Sequence, residues 1–162
     1  MSGRIANAKG GLGEKVAGLL LSRSAGDGDA MFSVAFLGDK WEATDLLVVP
    51  EPVPGLRPYF FAQVKATASP PPTARRGLAA PATKAAVAKL LEIPGPTYLL
   101  GVHLPSERVF AKAVLAGAPA RGVGRFPLAN ELTPDSLRTL REEVVDFWPP
   151  ARRSKPTESH FR

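Results

Sequence analysis

A chain of 162 residues, 44% apolar and 22% charged, has the size and composition of one globular domain that buries a core without a structural metal. It contains no cysteine, which excludes a disulfide scaffold, a thiolate metal site and a cysteine nucleophile, and fits a reducing, cytoplasmic compartment. No apolar run approaches the roughly 20 residues of a membrane span, and 21 Lys and Arg against 15 Asp and Glu give a net charge of +6 and a pI near 10.0. Such an excess suits a polyanionic partner, though it also serves solubility.

In chain order, Leu12, Val16, Leu19 and Leu20 follow the i, i+4, i+7, i+8 spacing of a buried helical stripe, predicting a first helix over residues 10–24. The Gly26-Asp-Gly-Asp29 run stops it. Three strands are expected next, at Met31–Leu37, Ala43–Val49 and Pro58–Ala66, separated by a turn at Gly38-Asp39-Lys40 and by a proline-rich connector. Together they form an antiparallel meander. The third run is apolar on both faces except at Gln63 and Lys65, which marks it as a central strand.

Ser69–Gly77 (SPPPTARRG) is a loop, because its prolines remove backbone donors, and it carries Arg75 and Arg76. A second helix is predicted over Pro81–Leu91, with Thr83, Val87, Leu90 and Leu91 on one face, and it is stopped by Pro94-Gly95-Pro96. Two strands follow at Thr97–Leu104 and Arg108–Val114. A last helix spans Thr133–Trp148, with threonine as its cap and Pro134 in its first turn. One domain over residues 1–148 and a flexible basic tail over 149–162 complete the expected organisation.

Glu14, Asp45, Gln63 and Lys65 stand where the surrounding pattern calls for apolar residues. Strand alternation puts Gln63 and Lys65 on one face, about 6.6 Å apart. If Val49 pairs with Tyr59, Asp45 falls opposite Gln63, with Cβ atoms about 5 Å apart. A hard cation such as Mg²⁺ can take the Asp45 carboxylate and the Gln63 carbonyl oxygen, with the Lys65 ammonium beside it, and Glu14 adds a ligand if the first helix crosses this part of the sheet. These are the parts that phosphodiester hydrolysis needs: charge neutralisation, a source of hydroxide and a positive group at the phosphate. The bland alternatives are a solvated Glu14 opposite the leucine stripe, an Asp45 that caps a turn, and Gln63 and Lys65 on the solvent side of an edge strand.

Gly13-Glu14 in an early helix, Thr44-Asp45-Leu-Leu-Val-Val opening a strand and Gln63-Val64-Lys65 in the next resemble the PD-(D/E)XK nuclease superfamily in its Gln-X-Lys variant, found among Mrr-like restriction endonucleases and related bacterial families. The resemblance spans about residues 10–104. It implies a restriction-endonuclease-like αβββαβ core with a mixed sheet flanked by helices, here extended by one strand and a C-terminal helix. It also implies a Mg- or Mn-dependent endonuclease acting on DNA. Asp45 becomes the principal metal ligand, Gln63 replaces the usual acidic ligand, Lys65 acts on the nucleophile or phosphate, and Glu14 is the helix-borne acid. A catalytically inactive nucleic-acid-binding or protein-interaction module on the same fold is the alternative, and a homodimer is a candidate assembly.

Arg75, Arg76, Lys84 and Lys89 are the candidate phosphate contacts, with a solvated face as the other reading. His103 and His160 have no partner histidine or cysteine nearby in sequence. The glycine-rich run Lys9–Gly13 lacks the end of a P-loop, and Asp27-Gly-Asp29 lacks the glutamate of a calcium loop.

Overall fold

The computed structural model describes residues 2–23, 28–38, 41–51 and 53–148, so the expected basic tail lies outside the described residues. Ten elements follow in order, of which eight are helices or strands: α1 (Ser2–Leu21), β1 (Phe32–Phe36), β2 (Leu46–Pro50), β3 (Phe60–Thr67), α2 (Lys84–Leu91), β4 (Thr97–His103), β5 (Arg108–Ala113) and α3 (Pro134–Phe147). The other two are 3₁₀ turns at Leu104–Ser106 and Leu128–Asn130.

The five strands form one mixed sheet in the order β1-β2-β3-β4-β5. β1, β2 and β3 make an antiparallel meander, β3 and β4 run parallel, and β5 returns antiparallel. A parallel neighbour requires a crossover, and α2 supplies it. Its start is fixed by Thr83, whose hydroxyl accepts from the Ala86 amide at 3.1 Å, so the helix begins three residues later than its sequence pattern suggests. Thr133 caps α3 reciprocally with Ser136.

The sheet is covered on both faces. One face packs Phe32, Leu46, Val48, Phe60, Ala62 and Val64 under α1 and α3, through Ala17, Leu21, Leu137, Leu140 and Val144. The opposite face carries a smaller cluster in which Leu99 and Phe110 meet Val87 and Leu90 of α2 and the loop residues Leu78 and Phe126.

Two expectations about α1 are corrected. The helix starts at Ser2 rather than near residue 10, and only half of the expected stripe is buried: Val16 and Leu20 pack against the core, whereas Leu12 and Leu19 are 51% and 58% exposed. Gly13, Ala17, Gly18 and Leu21 face the sheet instead. Small residues let the helix backbone come close: a Cβ on Gly13 would lie 2.5 Å from Ala66 Cβ. Close approach of the backbone, not side-chain bulk, selects this face.

Candidate functional site

β2 and β3 pair with Leu46 opposite Ala62, Leu47 opposite Phe61 and Val48 opposite Phe60. This is the expected register, but the ladder stops at Leu46: the Asp45 amide donates to the Ala62 carbonyl, so Asp45 sits beside Leu46 across from Ala62 rather than squarely opposite Gln63. The strand begins at Leu46 rather than Ala43, because the chain turns just before it. Ala43 adopts a left-handed backbone, φ 78°, which costs a non-glycine residue of the order of 1–2 kcal/mol. Asp45 then directs its amide to the Ala62 carbonyl and its carbonyl to the Leu37 amide, each at 2.9 Å.

This turn ends the β2–β3 ladder. The Val64 amide, which a continued ladder would pair with the carbonyl of residue 44, donates to Asp45 Oδ2 at 2.6 Å. A carboxylate therefore sits where the two strands part, held by a backbone donor of the central strand. Asp45 Oδ1 accepts no hydrogen bond among the described residues. Burial pushes the Asp45 carboxyl above the ordinary aspartate value, while the Val64 amide and the nearby Lys65 ammonium pull it down.

Gln63 is 8% exposed, and its Oε1 is a buried acceptor with no hydrogen-bond partner among the described residues. The neighbouring Thr44 hydroxyl is in the same position. A buried carbonyl oxygen without a donor costs about 1–3 kcal/mol. Central placement in the sheet excludes the edge-strand alternative for Gln63 and Lys65. The set of Asp45 Oδ1, Gln63 Oε1 and an adjacent ammonium fits a hard, oxygen-preferring cation. Among the described residues, however, no three His, Cys, Asp or Glu side chains gather closely enough to hold a metal ion by themselves, so the amide oxygen would have to be one of the ligands.

Glu14 follows Gly13, the residue seated on Val64 and Ala66. At 100° per residue it falls between Leu21 and Gly18, both buried, and so inside the sheet-facing arc of α1. It is half-buried. α1 packs on the Val64 and Ala66 face of the sheet, opposite to the face that Gln63 and Lys65 share, so Glu14 does not lie on one face with them.

The connector before Asp45 folds over the α2 face. Trp41 stacks on Phe61 with ring centroids 6.0 Å apart, Ala43 joins the α2-side core, and Glu42 pairs with Lys89. Lys89 is thus engaged with an acid, which sets it apart from the other candidate phosphate contacts. Arg75, Arg76 and Lys84 are exposed. Arg125, which sequence reasoning passed over, donates from Nη1 to the Arg76 carbonyl at 3.1 Å. Only a pairing between distant loops reveals it.

His103 is buried beyond the candidate site on β4. Its ring nitrogens lie 2.6 Å from Ser106 Oγ and 2.9 Å from the Ser69 carbonyl oxygen. Both nitrogens are occupied, and the residue pins the proline-rich loop to the end of β4. No helix among the described residues is long and apolar enough to cross a membrane. No family model, no curated protein and no solved structure matches this chain.

Proposed function

We propose that this protein is a metal-dependent nuclease that hydrolyses DNA phosphodiester bonds, on a restriction-endonuclease-like PD-(D/E)XK fold in its Gln-X-Lys form. One observation carries the reading: the Asp45 carboxylate is held where β2 and β3 part, near enough to Lys65 to feel its charge, and Gln63 of the same stretch of β3 keeps a buried amide oxygen without a donor among the described residues. Capping the Val64 amide at the end of the ladder accounts for Asp45, but not for the buried Gln63 and the Lys65 beside it. The helix, meander, crossover helix and parallel strand, in that order, support the finer fold assignment.

Mg²⁺ or Mn²⁺ would be held by Asp45 and Gln63 and would neutralise charge on the phosphate; Glu14, on the helix that packs on the opposite face of the sheet, would join them only by reaching through the gap where β2 and β3 part. Lys65 would donate to a phosphate oxygen and stabilise the charge that grows as the P–O bond breaks. Asp45, fixed by the Val64 amide, would keep its second oxygen aimed at the reacting groups without reorganisation. The neutral Gln63, with no third acid at hand among the described residues, favours a second reading as a nucleic-acid-binding module without catalysis.

Plasmid nicking in Mg²⁺, Mn²⁺ or chelator distinguishes the two. Lys65→Ala should lower metal-dependent nicking by about 100-fold or more with an unchanged melting temperature. Gln63→Glu should retain or raise it, because added ligand charge strengthens cation binding. Wild type and Gln63→Glu both inert on every DNA form, with binding intact, would leave the binding module as the function.

A further inference from the structure

Residues 66–91 and 108–130 contain no aspartate or glutamate, yet carry Arg75, Arg76, Lys84, Lys89, Arg108, Lys112, Arg121 and Arg125. The fold lays parts of these two stretches side by side. Leu78 pairs with Phe126, and Ala82 with Val123, through reciprocal backbone hydrogen bonds of 2.8–2.9 Å. Gly122 packs against the Ala82 carbonyl and the Lys84 amide, which brings Arg121 beside Lys84. At the other end Arg125 bonds to the Arg76 backbone. Arg75, Arg76, Lys84, Arg121 and Arg125 are all exposed, and none makes an ion pair among the described residues. Arg108 and Lys89, in contrast, are neutralised by Glu131 and Glu42.

This ridge adjoins the candidate site. Lys65 is the register neighbour of Gly101 on β4, and a Cβ on Gly101 would lie 2.7 Å from the Phe126 ring and 3.1 Å from Leu78. The two residues that pair across the ridge therefore roof the position next to Lys65, about one strand spacing of 4.8 Å away. The two basic clusters are three to four extended residues apart, about 10–13 Å. The ridge segments carry one aromatic, Phe126, which is fully buried, so they offer no platform for stacking unpaired bases.

We infer that the paired segments Thr73–Lys84 and Arg121–Phe126 form a rigid basic ridge that grips the phosphate backbone of duplex nucleic acid, independently of sequence, beside the Lys65 site. This rests on the nucleic-acid part of the proposed function and not on cleavage. Five cations held on hydrogen-bonded backbone are placed to contact up to five phosphates.

The test is fluorescence anisotropy of the full chain, in chelator, with a duplex and a single-stranded oligonucleotide from 50 to 200 mM salt. At about −0.9 in log K per log salt for each phosphate contact, five contacts cost about 500-fold across this range, and Arg121→Gln/Arg125→Gln should cut that to about 40-fold. Arg75→Gln/Arg76→Gln should do the same, which guards against a local folding defect in the first variant. An unchanged salt dependence in both variants overturns the ridge, as does wild type that fails to bind the duplex at 50 mM salt. A change confined to the single strand overturns the duplex assignment. Nicking is scored separately, so an inert enzyme whose salt dependence responds to these variants sinks the catalytic reading alone.

Discussion

The two faces of the sheet use the same strands for different ends. The α1/α3 face is apolar along the whole central strand, with Phe60, Ala62 and Val64 buried under two helices. On the α2 face the same strand presents Phe61, Gln63, Lys65 and Thr67, next to them lies His103, and Asp45 stands at the gap where β2 leaves the strand. The charge differs too: α3 mixes Asp135, Glu142, Glu143 and Asp146 with Arg138 and Arg141, whereas the loop and helix over the α2 face are free of acids from 66 to 91. One face is built for stability, and the other gives some of it up to hold polar groups in a fixed, partly dry setting.

The largest expected effect comes from breaking the first face. Phe60 is fully buried, with edge-to-face contacts to Phe32 and Tyr98 at 5.9 and 5.2 Å. Phe60→Ala should destabilise by about 3–5 kcal/mol in urea unfolding. A loss under 1 kcal/mol would mean that this face is not the main core.

The second effect is smaller and opposite in sign. Gln63→Leu keeps the volume and removes the buried acceptor that has no donor, so it should stabilise by about 1 kcal/mol while abolishing any nicking. Stability gained with function lost is the signature of a polar group retained for a ligand. A destabilisation of similar size would show that Gln63 is an ordinary packing residue, and the contrast between the faces would blur.

The smallest effect lies at the rim of the α2 face. Arg108 binds Glu131 through two bonds of 2.7 and 2.5 Å, and this hydrogen bonding holds the Glu131 carboxyl below its ordinary value of 4.5, against burial. A carboxyl depressed in the folded state stabilises above its unfolded value, and that contribution is lost as pH falls through the folded value. Glu131→Gln should therefore cost about 0.5–1 kcal/mol at pH 7. Urea midpoints of wild type and variant should converge as the pH is lowered past the folded value. A constant gap down to pH 2 would assign the cost to packing instead.

Much of this architecture was legible in the sequence because it rests on local rules. Apolar residues on both faces mark β3 as central, alternation puts Gln63 and Lys65 on one face, and the expected register of β2 and β3 holds from Leu46 to Val48. Proline, threonine and glycine signals located both later helices to within a few residues. The first helix departs from its leucine spacing because bulk alone does not decide burial there. Against a flat strand, Gly13, Ala17 and Gly18 make the better contact face, which leaves Leu12 and Leu19 outward.

What only the tertiary structure decided is how distant pieces meet. The turn at Ala43, the Val64 amide on the Asp45 carboxylate and the missing donor for Gln63 Oε1 depend on where one strand leaves another. No pattern within a single segment encodes that. Arg121 and Arg125 read as scattered loop charges until Leu78–Phe126 and Ala82–Val123 pair, and Lys89 reads as free until Glu42 folds over to it. Sequence periodicity reports the environment of an element along its own axis, so it determined the strands, the helices and the residue types at the site. Contacts between elements set the protonation, pairing and exposure of those residues, and these became visible only with the fold.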